Sequence, residues 1–342
     1  MTSNNRQVRL AARPGAGRPK PSDWELTTEP VPIPADGEFV VAVSHVSIDP
    51  AMRGWMNAGA SYIEPVEVGA VMRAGAVGRV TASQHPEFAV GDHVYGAFGV
   101  QEHARSDGRG VIKLDTSLAP LPTYLGALGL SGMTAYFGLL DVGRLKEGET
   151  VLVSGAAGAV GSIVGQIAKL KGCRAVGIAG GPDKCRWLAE ELGFDAAIDY
   201  KAQDVRAALR EHVPERVDVY FDNVGGEILD AALTRLARGA RIVICGGISQ
   251  YNAEQVRGPA NYLALIAARG SMTGMVVFDY ADRYAEATAE LAAWLRHGKL
   301  VSREHIVEGG VSDFPETLLK LFAGENTGKC VLALSAPGAQ SE

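Results

Sequence analysis

Gly155, Gly158 and Gly161 stand between the apolar run Val151-Leu152-Val153 and a helical stripe of Ile163, Val164, Ile167 and Leu170. A strand that ends in such a turn and opens a helix can face a pyrophosphate with backbone amides and a helix N-terminus. The three glycines would supply the tight turn, the close backbone approach and the contact between helix and strand. Their Gly-x-x-Gly-x-x-Gly spacing differs from the common Gly-x-Gly-x-x-Gly fingerprint, so the context carries the reading. The next apolar run, Cys173 to Ile178, ends in Ala179-Gly180-Gly181, where NAD-selective folds put an acidic residue against the ribose 2′-hydroxyl. A small uncharged floor, Pro182 at the first helical position and Lys184 one turn in suit a 2′-phosphate. The chemistry expected is therefore binding of NADP(H) in preference to NAD(H).

The elements that must position this turn can be read from the pattern. Over the first 120 or so residues, short candidate strands fall near Gln7–Ala11, Phe39–Ile48, Gly75–Thr81 and His93–Gly96, closely separated by breakers. From about Leu125 strand and helix patterns alternate: 151–154, 160–171, 173–178, 183–192, 196–199, 204–212, 217–221, 227–236, 241–245, 261–269, 271–277 and 283–297. That alternation predicts an α/β fold with a doubly wound parallel sheet. Short strands recur at His305–Glu308 and Lys329–Leu334 with a helix Phe314–Phe322 between them, and Ser335–Glu342 reads as a loose polar tail. The expected division is a mostly-β domain of residues 1–124 and 309–342 and a nucleotide-binding domain of residues 125–308, with the active site in the cleft between them.

Composition narrows the partners. A chain of 342 residues with 47% hydrophobic and 21% charged residues has ample material for two cores. A net charge of −6 argues against nucleic acid or an anionic membrane surface as partner. No run reaches transmembrane length and the N-terminus lacks a signal-type core. The four cysteines, Cys173, Cys185, Cys245 and Cys330, fit no close-spaced metal pattern, and the seven histidines show no ligand spacing. A reducing, cytoplasmic compartment is expected.

The chain resembles the zinc-independent medium-chain dehydrogenase/reductases, in the branch of prostaglandin, curcumin and plant alkenal double-bond reductases. The resemblance runs through Asn5-Arg-Gln-Val-Arg-Leu-Ala-Ala-Arg13, Met52-Arg53 after the Asp49-Pro50 turn, Gly155–Gly161 and Gly165-Gln-Ile-Ala-Lys-Leu-Lys-Gly-Cys173. It continues through Tyr220-Phe-Asp-Asn-Val-Gly-Gly226, Cys245-Gly-Gly-Ile-Ser-Gln-Tyr-Asn252 and Gly324-Glu-Asn-Thr-Gly-Lys329. It implies a GroES-like mostly-β catalytic domain, a Rossmann domain and NADP(H). By the same resemblance Gly158, Ala159, Val160 and Gly161 face the pyrophosphate, Lys184 the 2′-phosphate and Tyr200 the adenosine end. Asn223 and Cys245, Gly246, Ile248 and Ser249 line the cofactor, Met275, Val276 and Val277 lie by the nicotinamide, and Asn326 reaches it. Zinc-dependent relatives carry a cysteine after the first-domain strand and a Gly-His-Glu; here the chain reads His45-Val-Ser-Ile-Asp-Pro50 and Gly69-Ala70, so no metal is expected. A homodimer formed through the edge strand near 271–277 is a further implication.

Reducing a carbonyl calls for a Lewis acid or a strong proton donor, whereas reducing an activated C=C calls mainly for hydride delivery to the β-carbon and stabilisation of the enolate. Tyrosine hydroxyls can meet the second task. Tyr251, which ends the segment expected beside the nicotinamide, is the first candidate. Tyr62, in the loop Gly59-Ala-Ser-Tyr-Ile63, has a packed loop residue as its alternative reading. Tyr262, at the start of the next helix, has as its alternative a hydroxyl merely at the domain edge. Met52, Arg53 and Trp55 are expected to wall the substrate cleft together with Tyr62 and Tyr251, with a structural ion pair as the other role for Arg53. The expected activity is NADPH-dependent reduction of α,β-unsaturated ketones and aldehydes. The alternatives are a quinone reductase on the same scaffold and a protein that binds NADPH without turnover.

Overall fold

The structure, a computed structural model, describes residues 4–59 and 61–334. The expected tail at 335–342 and Ala60 of the Tyr62 loop lie outside the described residues. Contacts divide the chain into two compact units: Met1–Leu125, Glu304–Asn326 and Cys330–Glu342 form the first, Gly126–Arg303 and Thr327–Lys329 the second.

In the first unit β1 (Asn4–Leu10) and β2 (Trp24–Pro30) pair antiparallel, from Asn4 opposite Pro30 to Leu10 opposite Trp24. The chain then forms β3 (Phe39–Ser47), the short helix α1 (Met52–Trp55), β4 (Ala76–Ser83), β5 (His93–Gly96), β6 (His103–Ser106) and β7 (Ile112–Lys113). β3 and β4 shift register along their ladder, and a Cβ on Gly78 would lie 2.2 Å from the Ala42 carbonyl oxygen, so only glycine lets the strands close there. The core gathers Phe39, Val41, Ile48, Met52, Met56, Met72 and Phe314.

The second unit begins with α2 (Leu130–Phe137), which runs into a π-helical turn at Gly138–Val142. Six βα repeats follow: β8 (Thr150–Ser154), α3 (Ala159–Leu170), β9 (Arg174–Ala179), α4 (Pro182–Glu190), β10 (Ala196–Asp199), α5 (Val205–His212), β11 (Val217–Asp222), α6 (Gly226–Leu233), β12 (Leu236–Ile244), α7 (Ile248–Tyr251), α8 (Ala264–Ala268), β13 (Ser271–Gly274) and α9 (Tyr284–Arg296). All six strands are parallel, in the order β10-β9-β8-β11-β12-β13. β8 is buried along its whole length, as a central parallel strand covered on both faces must be. Residues of α5, α6 and α8 close one face over Leu152, Ile178, Tyr220 and Ile242, and α3 packs with α2 and β9.

The chain ends with β14 (Glu304–Gly309), α10 (Phe314–Ala323) and β15 (Lys329–Leu334). They complete a first-unit sheet of order β14-β15-β3-β4-β5-β7, with β6 also on β3. The α/β class, the mostly-β first unit and the doubly wound sheet match expectation. Several boundaries do not. The sequence pattern assigns no element between about Leu125 and residue 151, yet α2 lies there. Its apolar pattern is interrupted by Gly132, which is needed because a Cβ would stand 1.9 Å from the Ala127 carbonyl oxygen. Leu236, placed in a helix by its periodicity, instead opens β12, and the helix of 227–236 ends at Leu233. The strand over 271–277 stops at Gly274, and a 3-10 turn begins at Val277. The helix over 261–269 shrinks to Ala264–Ala268, where Arg269 turns left-handed.

Candidate functional site

The glycine turn joins β8 to α3. Gly155 has φ +58°, a conformation that side chains rarely tolerate. A Cβ on Gly161 would lie 2.4 Å from the Gly155 carbonyl oxygen, so turn and helix touch backbone to backbone. Gly158 is the N-cap and offers no side chain to the first helical amides. The amides of Ala159, Val160 and Gly161 lie in the first turn, where no intrahelical acceptor exists and the helix dipole favours an anion. The segment Thr327–Lys329 runs beside the turn: Gly328 forms a parallel bridge with Gly158 and its amide donates to the Ala157 carbonyl at 2.8 Å. Asn326 is the residue immediately before that segment.

The second phosphate-type position lies at the ends of β9 and β10. Gly181, at φ +102°, is the N-cap of α4, and Pro182 opens the helix. The Asp199 carboxylate accepts the amides of Gly181 at 2.8 Å and Lys201 at 3.0 Å, tying the two strand ends together. A Cβ on Gly180 would stand 2.8 Å from the Tyr200 ring and 2.9 Å from Lys201 Cε, so glycine is what admits both side chains. Burial lowers the pKa of Lys184, and the positive charge of Lys201 lowers it further. Two ammonium groups thus share one locality at a helix N-terminus, an arrangement that a dianionic phosphate relieves. Lys201 escaped the sequence reading, although its position directly after Tyr200 was visible.

At the ends of β8, β11 and β12, Asn223 donates its backbone amide to Ser154 Oγ at 2.9 Å and its side-chain amide to the Ser154 carbonyl at 2.7 Å. The amides of Cys245 and Gly246 donate to the Asp222 carbonyl at 2.9 and 3.1 Å. Ser249 Oγ donates to the Val224 carbonyl at 2.6 Å. Burial, with Asp222 adding to it, pushes the Cys245 thiol up to about 12, so it stays protonated at neutral pH. The Tyr251 hydroxyl accepts the Gly247 amide at 3.1 Å. Met275 is buried, and its amide donates to the Ile244 carbonyl at 3.0 Å; Val276 and Val277 follow it, half-buried, at the start of the 3-10 turn. Tyr262 is 58% exposed.

In the first unit Met52 belongs to the core, and Arg53 is buried with its guanidinium spent on the Gly15 and Gly17 carbonyls and on Asn57 Oδ1. That use of Arg53 is structural but involves neutral acceptors, where an ion pair was the alternative expected. Trp55 keeps partial exposure and donates its indole N–H to the Tyr62 hydroxyl at 3.1 Å. The Arg73 guanidinium lies 5.8 Å from the Trp55 ring centre, and Arg73 was another residue the sequence reading passed over. Among the described residues no three His, Cys, Asp or Glu side chains group so as to hold a metal ion.

The chain is similar to known proteins along most of its length. Residues 6–114 match the family model described as the N-terminal domain of oxidoreductase, and residues 159–293 match that described as zinc-binding dehydrogenase. The chain is 41% identical to the NADPH-dependent curcumin reductase of Escherichia coli, over 97% of each protein. It is 40% identical to the NADP(+)-dependent 2-alkenal reductase of Nicotiana tabacum, over 93% of this chain and 94% of that one. CurA of Vibrio vulnificus, solved in complex with NADPH, superposes with a TM-score of 0.91 at 44% identity, covering 97% of this chain and 100% of its own. The glycine turn, the parallel sheet and the full-length similarity make this chain a member of the zinc-independent medium-chain dehydrogenase/reductase family.

Proposed function

We propose that this NADP(H)-dependent oxidoreductase reduces the C=C bond of α,β-unsaturated ketones and aldehydes. The observation that carries the cofactor half of this reading is the Lys184–Lys201 locality at the N-terminus of α4, where β9 itself ends in Ala179-Gly180-Gly181 and the nearby Asp199 carboxylate is engaged by the Gly181 and Lys201 amides. The first-turn amides of Ala159, Val160 and Gly161, with Gly158, hold the pyrophosphate, and Tyr200 covers the adenosine end. Asn223, Cys245, Gly246, Ile248, Ser249, Met275, Val276, Val277 and Asn326 are assigned to the remainder of the cofactor. When bound, NADPH supplies the hydride.

The chain's own contribution is orientation and a proton. Tyr251 donates a hydrogen bond to the carbonyl oxygen as negative charge gathers there, and positioning supplies most of the rate. Tyr62, braced by the Trp55 indole, is the second donor candidate, and Trp55 offers an aromatic wall to an apolar substrate. The protonated Cys245 thiol plays no part as a nucleophile at neutral pH. A homodimer through β13, which among the described residues pairs only with β12 at the edge of its sheet, completes the reading.

The test is turnover of NADPH and NADH against trans-2-alkenals, aryl enones and a simple quinone. Enal and enone turnover with a strong NADPH preference supports the assignment. Quinone turnover alone, or NADPH binding without turnover, overturns the reaction while leaving the family intact.

A further inference from the structure

Asp222, at the carboxyl end of β11, is 1% exposed. Its Oδ1 accepts four hydrogen bonds, from Tyr220 OH at 2.7 Å, Ser154 Oγ at 2.8 Å and the amides of Val224 and Gly225 at 3.0 Å each. All four donors are neutral. Among the described residues Oδ2 has no hydrogen-bond partner at all. Two backbone amides donate to Oδ1 and two hydroxyls are placed to do the same, a set of donors that suits a carboxylate. A buried anion without a cation is costly, and four neutral donors on a single oxygen offset only part of that cost.

Its place in the fold indicates what the charge answers to. β8 and β11 are the central pair of the sheet: from β8 the chain goes on to β9 and β10 on one side, then returns to β11 on the other. That reversal opens the crevice where open α/β sheets bind ligands, beyond the carboxyl ends of the strands. Ser154, bonded to Asp222, closes β8 at the glycine turn, and the Asp222 carbonyl seats the Cys245 and Gly246 amides. Burial raises the Cys245 thiol pKa, and Asp222 adds to the rise. NADP(H) has one cationic group, the nicotinamide ring in its oxidised form.

We infer that Asp222 is an electrostatic positioning residue that favours the oxidised, cationic cofactor and so strengthens bound NADPH as a hydride donor. This rests on the proposed cofactor site. Stabilising charge where it develops, in a place shielded from water, is the general route to such an effect. The carboxylate acts through space and touches no reacting atom.

The experiment is equilibrium binding of NADP+ and NADPH separately to wild type, Asp222→Asn and Tyr220→Phe. Asparagine keeps an oxygen for the four donors and removes the charge. The expected result is that Asp222→Asn weakens NADP+ about tenfold more than NADPH, the order for one unit charge acting through a protein interior. Tyr220→Phe, which keeps the charge and removes a donor, should hold the ratio of the two affinities near the wild-type value. Equal weakening of both forms by Asp222→Asn, or no change, overturns the inference. Should Asp222→Asn not fold, the wild type decides: NADP+ bound at least as tightly as NADPH agrees with it, and NADPH bound more tightly than NADP+ contradicts it. Failure of wild type to bind either form would instead sink the cofactor reading itself.

Discussion

Lys184 is the residue on which cofactor choice turns. Lys184→Ala should weaken NADPH binding by about 10- to 100-fold, the range for losing a hydrogen bond between charged groups, and leave NADH binding nearly unchanged. Titration calorimetry with both cofactors measures this. The pH dependence has a definite sign. Burial and Lys201 lower the pKa of Lys184, so it loses its charge at a lower pH than an ordinary lysine. NADPH affinity should therefore fall as pH rises through that lowered value, and Lys184→Ala should flatten the fall. Tyr251→Phe should lower kcat by about 100-fold with little change in NADPH affinity, since general acid help is of that order. A kcat within twofold of wild type would move the proton donor to Tyr62 or Tyr262.

Among the elements, the turn between β8 and α3 is the least forgiving. Gly161→Ala would press a Cβ to 2.4 Å from a backbone oxygen that cannot swing away. Thermal unfolding should show a loss of about 1–3 kcal/mol, and NADPH binding should weaken with it. This turn was legible in the sequence because its strand, glycines and helical stripe follow each other without a break. The Lys184–Lys201 pair was only half legible, since Lys201 comes from the next strand end and depends on Gly180 to admit it. Asp222 lay inside the motif Tyr220–Gly226, yet nothing local revealed that Tyr220 and Ser154 converge on one of its oxygens. α2 was hidden by Gly132 and Gly138, whose absent side chains serve close contacts with Ala127 and Phe221 rather than a break in the helix. Arg53 could not be read correctly from sequence, because apart from Asn57 its acceptors are carbonyls nearly 40 positions earlier in the chain.

At the scale of the whole molecule, Trp55, Tyr62 and Asn326 belong to the first unit, and the glycine turn, the lysine pair and Tyr251 to the second. No helix among the described residues is long and apolar enough to cross a membrane. Exposed Val256, Leu263 and Ile266 lie near the β13 edge in sequence, and a dimeric mass by light scattering is the outcome expected for that edge. The central claim is that hydride goes to the β-carbon of a conjugated carbonyl. Incubation of purified protein with NADPH and a trans-2-alkenal, followed by mass and NMR identification of the product, tests it most directly. The account predicts the saturated aldehyde. Recovery of the unsaturated alcohol, which requires reduction at the carbonyl carbon, would contradict it.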